Sequence, residues 1–160
     1  MSDVRRVSAE TLRAMLLDGE ELALLDLREE RIFSESHLLF ARCVPLSRLE
    51  LKLARFVPRR TTRIVLVDDA EGLAERAASV LAKAGYTDVS MLDGGNAAWE
   101  AAGFTLSTEP RMADEPLDYW PKPYERADDA KGAMNEYLSW EVDLLPRIER
   151  DGTTRFTTPI

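Results

Sequence analysis

RIVLVDDAEGLAERAASVLAKAGY, residues Arg63 to Tyr86, decides the fold. Arg63 to Val67 is a near-continuous apolar run of strand length, rich in β-branched side chains, as expected of a strand covered on both faces. Asp68 to Gly72 (DDAEG) is too polar to extend it and reads as a loop. From Leu73 the period changes: Leu73, Ala77, Val80, Leu81 and Ala84 fall on one helical face, and Gly85 supplies the stop. Asp68 therefore ends a strand and faces a helix N-terminus, the place where α/β proteins keep their chemistry.

The same alternation continues on either side. Ser8 is a good N-cap, and Leu12, Met15 and Leu16 recur at helical spacing until Asp18-Gly19. Leu22 to Leu27 (LALLDL) is a second apolar strand, with Asp26 near its C-terminal end. Glu30 to Ser36 suits a short helix, Ala41 to Val44 a short strand before Pro45, and Ser47 to Phe56 a helix carrying Leu49, Leu53 and Phe56. Asp88 to Leu92 is the next strand, Asp93-Gly94-Gly95 a turn, and Ala97 to Ala102 a helix closing at Gly103. Repeated strand and helix predict a mostly parallel sheet. From about Ser107 the character changes. RMADEPLDYWPKPYE suits an extended segment anchored by Trp120 and Tyr124, followed from Asp128 or Asp129 by a helix that Pro146 kinks or ends. Its stripe of Met134, Tyr137, Leu138, Leu144 and Leu145 needs cover, from the same chain or from a second copy.

Composition narrows the function classes. With 160 residues, 45% hydrophobic and 31% charged, the chain can bury a full core. A formal charge of -8 argues against nucleic-acid partners, which need a concentrated basic face. No apolar run approaches the roughly 20 residues that span a bilayer, and MSDVRRVSAE lacks a signal peptide's apolar segment, so a cytoplasmic protein without membrane contact is expected. One cysteine, Cys43, and one histidine, His37, leave no disulfide and little material for a metal site; no metal or cofactor is expected.

Four pieces, in order, resemble the rhodanese-like family: LLDLREERIF (Leu24 to Phe33) its strand and Asp-x-Arg; SESHLLFARCVPLSRLE (Ser34 to Glu50) its Gly-His-Ile-Pro-Gly-Ala segment; Arg63 to Tyr86 its central strand, loop and helix; and VSMLDGGNAAWEAAGF (Val89 to Phe104) its Leu-x-Gly-Gly-x-x-x-Trp signature. The resemblance covers about residues 6 to 106. It implies an α/β rhodanese-like fold, with a central sheet of about five strands and helices on both faces, over residues 1 to 107. Residues 108 to 160 form an extension that packs on this domain or on a second copy.

The resemblance also implies a site. In the family the loop after the central strand begins with a cysteine that forms a persulfide, cradled by loop amides beside a basic side chain. By position that cysteine corresponds to Asp68, and the loop continues Asp69, Ala70, Glu71, Gly72, Leu73, Ala74, Glu75, Arg76: four acids and one arginine. Two like charges about 4 Å apart repel by about 4 kcal/mol at an effective dielectric near 20, so a dianion such as thiosulfate should avoid this loop. An aspartate also cannot hold a persulfide. Asp68 reads better as a cap on the following turn or helix than as a phosphoryl-transfer nucleophile, because no second acid stands two residues on and no phosphate cradle or metal set accompanies it. Asp68, Asp69 and Glu71 lack the spacing of a calcium loop. Cys43, in a strand, reads as a buried inert thiol. Asp26, Arg28, His37 and Trp99 match positions that are structural in the family, and Gly94 and Gly95 read as a turn needing positive φ.

The leading expectation is thus a non-catalytic relative of the sulfurtransferases that serves as an interaction or regulatory module, with an unidentified protein or sulfur-relay partner and a homodimer through the extension as candidate assemblies. The alternatives are a working sulfurtransferase, or an accessory subunit of one, that uses Cys43 or a partner's cysteine, and, last, a phosphatase-like hydrolase.

Overall fold

The computed structural model describes residues 4–69, 72–108 and 130–153. The chain divides into two compact units, Met1–Ala113 and Asp114–Ile160. In the first, the elements run β1 (Arg5–Val7), α1 (Ala9–Leu17), β2 (Leu22–Asp26), α2 (Glu30–Glu35), β3 (Arg42–Cys43), a 3-10 turn (Leu46–Arg48), α3 (Leu49–Phe56), β4 (Arg63–Val67), α4 (Leu73–Lys83), β5 (Val89–Leu92) and α5 (Gly95–Ala101). The five strands form one sheet in the order β1-β5-β4-β2-β3, and every pairing is parallel.

The side-chain alternation along β4 explains the layers. Ile64 and Leu66 point to one face, where Leu49 and Leu53 of α3 and Ala74, Ala77 and Leu81 of α4 cover them. Val65 and Val67 point to the other, against Ala9 and Leu12 of α1 and Trp99 of α5. These four β4 side chains are fully buried, which is why this strand reads as continuous apolar sequence rather than as an alternation. Trp99 closes its own cluster: its indole N–H donates to the Thr105 carbonyl (3.0 Å), and its ring lies 4.7 Å from Phe104.

Two expectations need correction and a third is narrowed. β1 lies in a stretch where no strand is expected; it has three residues, of which Val7 alone is buried, too short to register as a pattern. α5 begins at Gly95 rather than Ala97, because Gly94 and Gly95, both at positive φ, turn the chain directly into the helix. In the second unit, where Pro146 is expected to kink or end the helix, α6 (Ala130–Asp151) does not end there but runs on through the proline. The proline removes one N–H, and Val142, one turn back, is 73% exposed, so water can satisfy the carbonyl left over. The anchors expected at Trp120 and Tyr124 lie outside the described residues. Among the described residues no helix is long and apolar enough to cross a membrane.

Candidate functional site

Parallel strands bring their C-terminal ends to one edge of the sheet, so Asp26 at the end of β2, Cys43 at the end of β3, Asp68 just after β4 and Asp93 just after β5 arrive at that edge. Asp68 is 1% exposed. Its Oδ2 accepts the Ala74 backbone N–H at 3.0 Å, so the carboxylate caps the first turn of α4. Gly72, at φ +77°, turns the chain from the loop into that helix, and Leu73 opens it. Ala70 and Glu71 lie outside the described residues.

Asp69 is held from two sides. Arg28 donates from Nη1 to both its carboxylate oxygens (3.0 and 3.3 Å), and Asn96, on α5, donates from Nδ2 to Oδ1 (3.0 Å). The rest of the Arg28 guanidinium grips Asp26 through Nε and Nη2 (2.9 and 2.7 Å) and reaches the Ser36 carbonyl (2.7 Å). Arg28 is 4% exposed and Asp26 fully buried. Burial works against the guanidinium's charge, but Asp26 and Asp69 outweigh it and hold the Arg28 pKa above its ordinary value. Burial also pushes the Asp26 carboxyl up, against the opposing pull of Arg28. On the far side of the loop, Arg6 from β1 bridges Glu75 (3.1 Å) and Asp93 (2.9 Å). The loop is therefore less one-sidedly acidic than its own sequence suggests, because arginines from remote positions answer Asp69 and Glu75. Breaking the buried junction should be severe. Arg28→Met strands Asp26 without its cation, and denaturant unfolding should show a loss of about 3–5 kcal/mol.

The other singled-out residues surround this edge. His37 Nδ1 donates to the Phe33 carbonyl (2.7 Å), its ring stacks on Phe33 at 3.8 Å, and its backbone exchanges two hydrogen bonds with Ser107 (2.9 and 2.7 Å). It ties the segment before β3 to the end of the domain. Gly95 packs directly on the Asp68 carbonyl: a Cβ there would lie 1.9 Å from that oxygen. Cys43 is 1% exposed, and its Sγ–H lies 3.7 Å from the Arg28 carbonyl. Burial, reinforced by the charges of Asp26 and Glu30, pushes its thiol from 9.0 up to about 12. A rise of that size lowers the thiolate fraction about a thousandfold near neutral pH. Iodoacetamide should leave Cys43 unlabelled in the native chain, with reactivity rising as pH climbs toward the thiol's pKa and appearing at once on unfolding. Rapid native labelling at neutral pH would contradict this placement. Among the described residues no three His, Cys, Asp or Glu side chains are arranged to hold a metal ion. Asn96, Arg6 and Ser36 were not expected in the site; each contacts it through the fold, from positions with no local motif.

Comparison with known proteins agrees with this geometry. The family model described as Rhodanese-like domain matches residues 8–102. No curated protein matches the chain. Among solved structures, a thiosulfate sulfurtransferase from Pseudomonas aeruginosa is 49% identical with a TM-score of 0.64; the match covers 66% of this chain and 20% of that one, so the chain spans about a fifth of that protein's length. The Alr3790 protein from Anabaena sp. is 27% identical with a TM-score of 0.56, over 63% of this chain and 81% of its own. A rhodanese-related protein from Thermoplasma volcanium, 19% identical over 66% of this chain and 99% of its own, shares the fold at a TM-score of 0.57. With more than half of its residues matched by the family model, the chain belongs to the rhodanese-like family.

Proposed function

We propose that this chain is a rhodanese-like module with no sulfurtransferase activity of its own, in which Asp68 stands where active members carry the sulfur-bearing cysteine, and that it works in the cytoplasm as an interaction or regulatory module. The observation that carries this reading is the Asp68 carboxylate itself. It is buried, and it takes up the α4 amide of Ala74 at 3.0 Å that would otherwise face an incoming anion. A carboxylate forms no S–S bond, so it cannot accept a sulfane sulfur. Cys43 does not replace it, because a buried thiol with its pKa near 12 is neither accessible nor ionised at neutral pH. Purified chain given thiosulfate and cyanide should form no thiocyanate above the blank; sustained turnover would remove the proposal.

A second reading rests on the 49% identity to a protein named as a thiosulfate sulfurtransferase. In it the chain is an accessory subunit whose partner supplies the cysteine. Sulfur transfer that appears only when a thiol protein is added, and survives Cys43→Ser, would favour it. A phosphatase-like activity ranks last, since the same cysteine is missing; aryl phosphates should release no phosphate.

A further inference from the structure

Residues 51 to 63 hold five cations, Lys52, Arg55, Arg59, Arg60 and Arg63, and no acid, in a chain of net charge -8. Arg59 and Arg63 are engaged by Glu21 and Asp18. Arg60 instead lies over the Tyr86 ring, 4.4 Å from its centre. Among the described residues neither Arg60 nor Lys83 makes an ion pair. Both side chains line a groove of about 320 Å³ between α3 and α4, whose apolar floor is Leu53, Ala54, Val80 and Ala84, with Glu50 as its one acid. Two alanines in the floor allow close approach of a helix, and the rim keeps a net positive charge. Lys83 ends α4, so this groove lies about 16 Å along that helix from the Asp68 loop and is independent of it.

The second unit carries the complementary feature. On α6, Leu138, Val142 and Leu145 recur at helical spacing and are 51%, 73% and 54% exposed. Residues 132 to 146 hold three acids, Glu136, Glu141 and Asp143, and no base. At 100° per residue Glu141 lies on the flank of the apolar stripe, about 40° beyond Leu145. An acid on that flank is well placed to meet the cationic rim of a groove whose floor takes the apolar stripe.

We propose that the α3–α4 groove receives α6 of a second copy of this chain, with Leu138, Val142 and Leu145 on the alanine floor and Glu141 between Arg60 and Lys83. Two copies that exchange helices make the contact twice around a two-fold axis, which closes the assembly as a dimer. Light scattering on the full chain should give the mass of two chains at high concentration. Arg60→Glu with Lys83→Glu, or Glu141→Lys alone, should weaken association at least about tenfold while the dissociated chain still folds and melts cooperatively, and mixing the two variants should restore association. A cross-link decides the matter where association is weak. Chains carrying only Ala54→Cys, mixed with chains carrying only Val142→Cys and oxidised, should give a two-chain band on a non-reducing gel that neither variant gives with wild type, since Cys43 is buried. Absence of that band, or a dimer that the charge reversals leave intact, overturns the proposal.

Discussion

Asp68→Cys is expected to make thiocyanate from thiosulfate and cyanide where the wild-type chain, on the function proposed above, makes none. The chemistry asks for little else. A thiolate attacks the outer sulfur of thiosulfate, the S–S bond breaks and sulfite leaves; cyanide then takes that sulfur from the persulfide, and the thiolate is restored. The position supplies what a thiolate needs. Its side chain sits at the start of α4, 3.0 Å from the Ala74 amide, where a helix N-terminus lowers a thiol's pKa. Arg28 and Asn96 pin the neighbouring Asp69, so the loop does not depend on the Asp68 cap alone. Losing that cap should lower stability by about 1 kcal/mol, which a melting curve will register without unfolding the protein. Against this, turnover should rise at least on the order of a hundredfold over wild type, the scale on which one preorganised set of donors acts. A folded Asp68→Cys chain that reacts quickly with iodoacetamide and still makes no thiocyanate would show that more than the nucleophile separates this loop from an active one. Acquired activity would show an intact frame, in which the aspartate is the single disarming change.

How much of this was legible before the structure depends on the distance over which the residues act. β4 and α4 could be read directly, because a strand buried on both faces and a helix with one apolar face each write their period into adjacent residues. Ser8 likewise announces the start of α1 and does accept the Thr11 amide. What stayed hidden acts across the chain. The order β1-β5-β4-β2-β3 seats the first strand beside the last, and Arg5 meets Asp88 from the far end of the domain. Asp69 looks like a repelling acid in a run of acids until Arg28, 41 positions earlier, and Asn96, 27 later, are seen to hold it. Ion pairs of this kind have no local period, so charge counted along one loop overstates the field that an incoming anion meets. Cys43 was legible for the opposite reason: a thiol in a short strand ahead of a proline is most simply a core residue, and its side chain is buried.

A loss of stability as large as that of Arg28→Met should come from the smallest side-chain addition, Gly95→Ala. Four glycines with positive φ allow the steric and conformational parts to be separated. At Gly103, φ +84°, and Gly85, φ +86°, a Cβ meets nothing within 4 Å, so alanine there pays only for the left-handed backbone, about 1 kcal/mol. At Gly94, φ +72°, the Cβ lies 2.8 Å from the Ala98 methyl, and α5 must give slightly. At Gly95, φ +57°, it lies 1.9 Å from the Asp68 carbonyl oxygen and 3.0 Å from its carbon. Backbone at the end of a fully buried central strand has nowhere to go: relief requires either β4 to leave its register with β5 or α5 to lift Trp99 out of the core. Strained φ and overpacking together come to about 3–5 kcal/mol, a large part of the 5–15 kcal/mol that holds an ordinary domain. For a unit of about 100 residues that is a fall in melting temperature of roughly 10–30 °C, against a few degrees for Gly103→Ala. The pair also probes the site. If α5 rather than β4 yields, Asn96 withdraws from Asp69 and the loop loosens, so Gly95→Ala placed on Asp68→Cys should abolish the acquired turnover at a temperature where the chain is still folded. Gly103→Ala should leave that turnover unchanged. Equal melting temperatures for the two alanine variants would mean that the Gly95 contact is not held in solution, and with it the placement of Asp68 against α5.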